Sequence, residues 1–163
     1  MKWNPQFYTL NIKLDPEEII YDVIFLGRDK NRMAMIENTK ALFNKMNLKT
    51  KLLVIKNEKD FLDYDDYLKL LNKSVGILDI VSPSQTGLTL RIMESLFLEK
   101  KLITNNKDIK NYPFYNKKNI FLLGEDQDET LLDFIKKPYE KVPKEIVEEY
   151  DYKNWLNRFF KDM

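Results

Sequence analysis

The sequence predicts an α/β fold, a three-layer Rossmann-like domain with an open parallel sheet of about five strands and helices on both faces. Two patterns carry that expectation. Short apolar runs recur at Tyr21–Gly27, Lys51–Ile55, Val75–Val81, Leu102–Thr104 and Asn119–Leu123, without the polar alternation of a strand that faces water on one side. Between them lie stretches with apolar residues at helical spacing, bounded by Gly, Pro, Asn and Asp. At 163 residues the chain is long enough for one domain that buries about 70% of its unfolded surface.

Residues 1–20 read as a linker or extended segment and 21–163 as the Rossmann-like domain. Tyr8, Leu10, Ile12 and Leu14 alternate with Thr9, Asn11 and Lys13, which suits an extended segment with one covered side, until Asp15-Pro16 breaks it. Trp3 and Phe7 also need a surface to cover them. The first strand ends in Gly27 at a tight turn carrying Arg28, Lys30 and Arg32. A long helix over Asp29–Asn47 follows, with Met33, Ile36, Ala41, Leu42 and Met46 toward one face. After the second strand comes a charged loop, Asn57–Asp60, then a helix over Asp65–Lys73. The adjacent acids of Tyr64-Asp-Asp-Tyr67 read as dipole-favouring residues of a first turn, not as paired catalytic carboxylates. Asp108–Asn111 reads as a helical turn and Thr130–Lys136 as a helix, with Pro138 and Pro143 marking an irregular connection. Tyr112 and Tyr115 flank Pro113-Phe114, where they either bracket a ligand ring or pack as a loop core. The last helix, residues 151–160, bears Trp155, Leu156, Phe159 and Phe160.

The chain is organised around Val75–Asn106, which reads strand, loop, helix, strand. Ser82-Pro-Ser-Gln-Thr-Gly87 is turn chemistry, and the helix over Gly87–Lys100 places Ile92, Met93, Leu96 and Phe97 on its buried side. Parallel strands joined by a crossover helix put this loop at the carboxyl edge of the sheet, where open α/β sheets bind ligands. A free helix N-terminus carries roughly +0.5 charge and accepts a phosphate. Glu94, about 10 Å further along the helix, is placed to accept hydrogen bonds from sugar hydroxyls. The plainer alternative is an i,i+3 surface pair of Arg91 with Glu94.

The run Gly87-Leu-Thr-Leu-Arg-Ile-Met-Glu94-Ser, followed by Lys101-Leu-Ile-Thr-Asn, resembles the donor-binding half of GT-B fold glycosyltransferases, of the bacterial lipopolysaccharide and capsular polysaccharide type. The likeness covers roughly Tyr21–Leu132. Those families carry two acidic residues eight positions apart, with Gly after the first and a small residue after the second. Gly87, Glu94 and Ser95 match, whereas the first acid is replaced by Thr86 and a Gly before the following strand by Glu99. The resemblance implies that Glu94 holds the donor ribose and that Arg28, with either Lys30 or Arg32, contacts the diphosphate. The implied substrate-binding segment adds Gln85, Thr86, Gly87, Leu88, Thr89 and Arg91. It also implies a UDP- or GDP-linked sugar as donor, a missing N-terminal acceptor domain, and a chain that is only the C-terminal half.

Composition narrows the chemistry. A formal charge of +1, from 27 basic and 26 acidic residues, does not suit a nucleic-acid partner. Without Cys or His there is no thiolate nucleophile, Ser-His triad or Cys-based zinc site, and neither cofactor nor metal is expected. No stretch approaches the roughly 18 apolar residues of a membrane span, and no signal peptide is visible, so the expected location is cytoplasmic, including the inner face of the membrane. Two other classes fit the same fold. One is a receiver-like phosphoacceptor domain using Asp79, which lacks the acidic pair after the first strand and the Lys after the fifth. The other is a non-catalytic α/β interaction module.

Overall fold

The computed structural model describes residues 5–83, 85 and 87–160. Five strands, β1 (Tyr21–Arg28), β2 (Thr50–Ile55), β3 (Ser74–Asp79), β4 (Lys101–Thr104) and β5 (Ile120–Leu122), form one sheet in the order β2-β1-β3-β4-β5. Every pairing is parallel, so all carboxyl ends share one edge. The chain leaves β1 for β2 on one side and returns to β3 on the other, which puts the topological switch between β1 and β3.

Both faces are covered, and this is why the strands read as continuous apolar runs. Val23, Phe25, Leu78, Ile103 and Phe121 pack against α1 (Met33–Lys45) and α4 (Leu131–Lys136). Ile24 and Ile77 meet Tyr67 and Leu71 of α2 (Tyr64–Asn72) on the other face. There too α3 (Leu90–Phe97) buries Ile92, Met93 and Leu96 against Leu102, Ile120 and Leu122. Two short helices, α5 (Lys144–Glu148) and α6 (Tyr152–Phe160), finish the described chain.

Several local expectations are corrected. α1 starts at Met33, because the turn before it needs left-handed backbone at Lys30 (φ 45°) and Asn31 (φ 60°), which no helix accommodates. Its buried residues are Ile36, Thr39 and Phe43, while Ala41 is exposed. α3 starts at Leu90, capped by the Thr89 hydroxyl, and stops when Glu99 turns left-handed at φ 53°. Its Glu94 and Ser95 are buried along with Ile92, Met93 and Leu96, so Glu94 is not part of a surface pair. The connection after α4 includes α5, and Tyr112-Pro-Phe-Tyr115 packs as a loop core around buried Phe114.

Described residues of the N-terminal segment pack against the rest of the chain. Tyr8 pairs with Asp151 in a parallel bridge, with Tyr8 N–H donating to the Tyr150 carbonyl at 3.0 Å and Tyr152 N–H to the Tyr8 carbonyl at 2.9 Å. The expected alternation holds at Tyr8, Ile12 and Leu14 but not at Leu10, which is exposed. Trp155 packs on Phe7 at 4.5 Å between ring centroids, and Phe7, Leu156, Phe159 and Phe160 all remain exposed. Trp3 lies outside the described residues. No helix among the described residues is long and apolar enough to cross a membrane.

Candidate functional site

A cleft of about 260 Å³ opens at the carboxyl end of β1, which neighbours β3, between α2 and α3. Leu26, Leu62, Leu90 and the rings of Tyr64 and Tyr67 form apolar walls, and Arg91 and Glu94 supply the charges. An apolar hollow with a few convergent polar groups at a topological switch is where α/β domains place small-molecule ligands.

Glu94 reaches this cleft from the middle of α3, and its position there is held by α2. The Tyr64 hydroxyl donates to Glu94 Oε1 at 2.9 Å and the Tyr67 hydroxyl to Oε2 at 2.8 Å. Because the single Tyr64 proton goes to Glu94, the 2.5 Å contact between the Tyr8 and Tyr64 hydroxyls is a bond donated by Tyr8. The chain Tyr8 to Tyr64 to Glu94 thus runs from the N-terminal segment into the cleft. Glu94 is only 1% exposed. Burial raises its pKa, opposed by the two phenol hydrogen bonds and by Arg91. Burial also pushes the Tyr8 phenol up to about 12.

The raised carboxyl pKa has a defined sign in stability. Between its ordinary value of 4.5 and the higher folded value, the folded chain holds more protons than the unfolded chain. Glu94 therefore contributes a loss of stability as pH rises through that window, complete once pH exceeds the folded value. Glu94→Gln is expected to abolish this contribution. Its stability relative to the parent chain should rise as pH increases above the ordinary carboxyl value of 4.5 in paired urea titrations, and parallel pH profiles would refute the assignment.

Arg91 does not pair with Glu94 on the surface. It reaches over the end of β1, where Nε and Nη2 donate to the Leu26 carbonyl at 3.2 and 2.9 Å and Nη1 meets Asp79 Oδ1 at 3.2 Å. Fully buried Asp79 also accepts from Thr89 Oγ1 at 3.0 Å and Thr104 Oγ1 at 3.3 Å. The head of α3 is thereby tied to the ends of β3, β4 and β1. Gly27 is required by this arrangement, since a Cβ there would overlap Arg91 Nη2 and stand 3.0 Å from Arg32 Nη2 and 3.1 Å from the Phe25 ring. Both guanidiniums lie over that ring, at 5.0 Å for Arg91 and 5.4 Å for Arg32.

The basic turn after β1 divides into three roles. Arg32 is buried, with Nε and Nη2 donating to the Arg28 carbonyl at 3.2 and 2.9 Å and Nη1 to the Ile80 carbonyl. Arg28 is exposed and stacks on Phe61 at 5.0 Å. With Lys56 and Lys59 it lines a basic groove at the ends of β1 and β2, beside the cleft and separated from it by the Phe61–Leu62 stretch. Lys30 is exposed at the tip of the turn.

In the loop before α3, Gln85 is exposed, Gly87 takes the left-handed φ of 86°, and the Gly87 carbonyl accepts from Asn106 Nδ2 at 3.0 Å. Leu88 packs with the α3 core cluster and Thr89 caps the helix. Thr86 lies outside the described residues. The head of α3 is therefore at Leu90, where the Thr89 hydroxyl satisfies Ile92 N–H at 3.3 Å. The edge thus carries Glu94 and Arg91 in the cleft and Arg28 in the adjoining groove, with Arg32 tying the Arg28 carbonyl to that of Ile80.

Tyr64 and Tyr67 are the cleft residues that sequence reasoning passed over in favour of the acids between them. Asp65 and Asp66 do sit in the first turn of α2, behind the Asp63 cap. The available signal was the i,i+3 spacing of the two tyrosines, which puts both phenols on one helix face. Among the described residues no group of three or more acidic side chains is placed to hold a metal ion. No protein-family model matches the chain, and a search of curated proteins finds no match.

Proposed function

We propose that the chain is the donor nucleotide-diphospho-sugar-binding domain of a GT-B glycosyltransferase that builds cell-surface polysaccharide or lipopolysaccharide. The observation that carries this is the placement of Glu94 in the cleft at the β1/β3 switch, with Arg28 on the same edge. In this reading the nucleoside enters the apolar cleft and its ribose hydroxyls bond to Glu94. The diphosphate lies toward Arg28, whose guanidinium forks to two oxygens, with Lys30 as the second cation because Arg32 is occupied by carbonyls. The left-handed Glu99 supports the likeness, as it stands where the resembled families have glycine. Catalysis is then positioning plus electrostatic stabilisation of the leaving diphosphate. The acceptor, and in an inverting enzyme the general base, belong to an N-terminal acceptor domain, and the exposed apolar face of α6 is suited to pack against it.

The test is titration calorimetry with UDP, GDP and CMP. UDP or GDP is expected to bind weakly, and Glu94→Ala to weaken that binding by about 1.5–3 kcal/mol. Lack of binding by all three nucleotides would leave the interaction module as the better account. The receiver-like alternative requires a reachable acceptor, whereas the Asp79 carboxylate is buried and bonded to Thr89, Thr104 and Arg91. Labelling of Asp79 by acetyl phosphate would revive it.

A further inference from the structure

Glu94 lines the cleft, yet its carboxylate is sealed: two phenols occupy its oxygens and almost none of the residue meets solvent. A carboxylate retains spare lone pairs after two hydrogen bonds, so the barrier to a ligand hydroxyl is access and not acceptor capacity. The two phenols differ in how they are held. Tyr67 is buried against Ile24, Leu71 and Ile77 in the α2 core, and no cleft ligand displaces it without opening that core. Tyr64 is the first residue of α2, it is 39% exposed, and its hydroxyl also meets that of Tyr8.

Tyr8 in turn is fixed by the two ends of the described chain. Its backbone is clamped by Tyr150 and Tyr152, Leu10 N–H donates to Asp151 Oδ1 at 3.0 Å, and Trp155 Nε1 donates to the Pro5 carbonyl at 2.7 Å. The Tyr8 ring packs edge-on against Phe97 at 5.3 Å, at the end of the same helix that carries Glu94. The N-terminal segment and the start of α6 thus form one clip whose link to the cleft is the bond from the Tyr8 hydroxyl to Tyr64.

We propose that Tyr64 is a latch over Glu94, held closed by Tyr8, and that a nucleotide's ribose hydroxyls gain the carboxylate by turning Tyr64 out. The proposal rests on the nucleotide reading of the cleft and adds to it a gate and its anchor. Tyr67 is the positioning residue that keeps Glu94 aimed while Tyr64 exchanges with the ligand. By linkage, whatever holds Tyr8 in its clip opposes ligand entry, and bound ligand loosens the tie between cleft and clip by the same factor.

The experiment compares UDP and GDP binding by the full chain with its Tyr8→Phe, Tyr64→Phe and Tyr67→Phe variants, together with amide hydrogen exchange at Tyr8 and Leu10. Loss of one hydroxyl keeps ring packing, and each variant's fold is checked by its unfolding transition. Tyr8→Phe and Tyr64→Phe are expected to bind about 3- to 10-fold more tightly, because the competitor for Glu94 is freed or removed. Tyr67→Phe is expected to bind more weakly. Ligand should speed exchange at the Leu10 amide in the parent chain and have no such effect in Tyr64→Phe. Binding by the parent with unchanged or weakened affinity in both latch variants overturns the latch and leaves the nucleotide site standing. Absence of binding in the parent and in both opened variants overturns the nucleotide reading, and the latch with it. Binding that emerges only in the opened variants establishes both.

Discussion

Replacing Asp79 by alanine is expected to cost about 3–5 kcal/mol of folding stability, the range for removing one partner of a buried, hydrogen-bonded ion pair. Asp79 is fully buried and is the common acceptor for Arg91, Thr89 and Thr104. Its loss leaves the Arg91 guanidinium, whose side chain is 18% exposed, without a countercharge, though still bonded to the Leu26 carbonyl. It also removes the acceptor that fixes the Thr89 cap, so the first turn of α3 loosens together with the end of β4. Asp79→Asn keeps an acceptor for one threonine and should fall between alanine and the parent. Urea unfolding at neutral pH reads the difference as a shift in midpoint at constant m-value. A loss below about 1 kcal/mol would mean that the carboxylate is not the tie between these three strands.

Arg32→Ala is expected to destabilise the chain by about 2–5 kcal/mol while leaving nucleotide affinity per folded molecule close to that of the parent. A buried carbonyl left without a donor costs about 1–3 kcal/mol, and Arg32 serves the buried carbonyl of Ile80 and the partly buried one of Arg28. A void beside Phe25 adds to that cost. Arg32→Lys should recover little, since an ammonium lacks the fork that reaches both carbonyls. Arg28→Ala should do the opposite, weakening nucleotide binding with little change in stability, because its guanidinium is exposed and rests on Phe61. Calorimetry paired with urea titration separates the two arginines. A stable Arg32→Ala chain that no longer binds UDP or GDP would return Arg32 to the diphosphate.

Sequence pattern was sufficient for the sheet because each strand had to be apolar on both sides to sit between helix layers. Tyr21–Arg28 and Ser74–Asp79 show this most directly, with adjacent residues such as Ile24 and Phe25 entering different cores. Helix ends were less legible. They depend on single backbone conformations, such as left-handed Lys30 and Glu99, that side chains of those types do not announce. The exposed Leu10 shows the limit of alternation in a segment whose covering surface comes from residues about 140 positions away, at Tyr150 and Asp151.

By itself the sequence determined the α/β class, the location of the sheet's carboxyl edge, and the presence of Glu94 and Arg28 near it. Those follow from local periodicity and from the rule that parallel strands align their carboxyl ends. Only the tertiary structure decided what each charge does there. Arg32 and Arg91 are equally basic in the sequence as Arg28, but they are folded over Phe25 and spent on backbone carbonyls and Asp79. Glu94 is enclosed by phenols from α2 and, through Tyr64, by Tyr8 of the N-terminal segment. The physical reason is that the partners of the Glu94 carboxylate, Tyr67 and Tyr64, come from 27 and 30 residues away and Tyr8 lies a further 56 from Tyr64, separations at which no local pattern carries information.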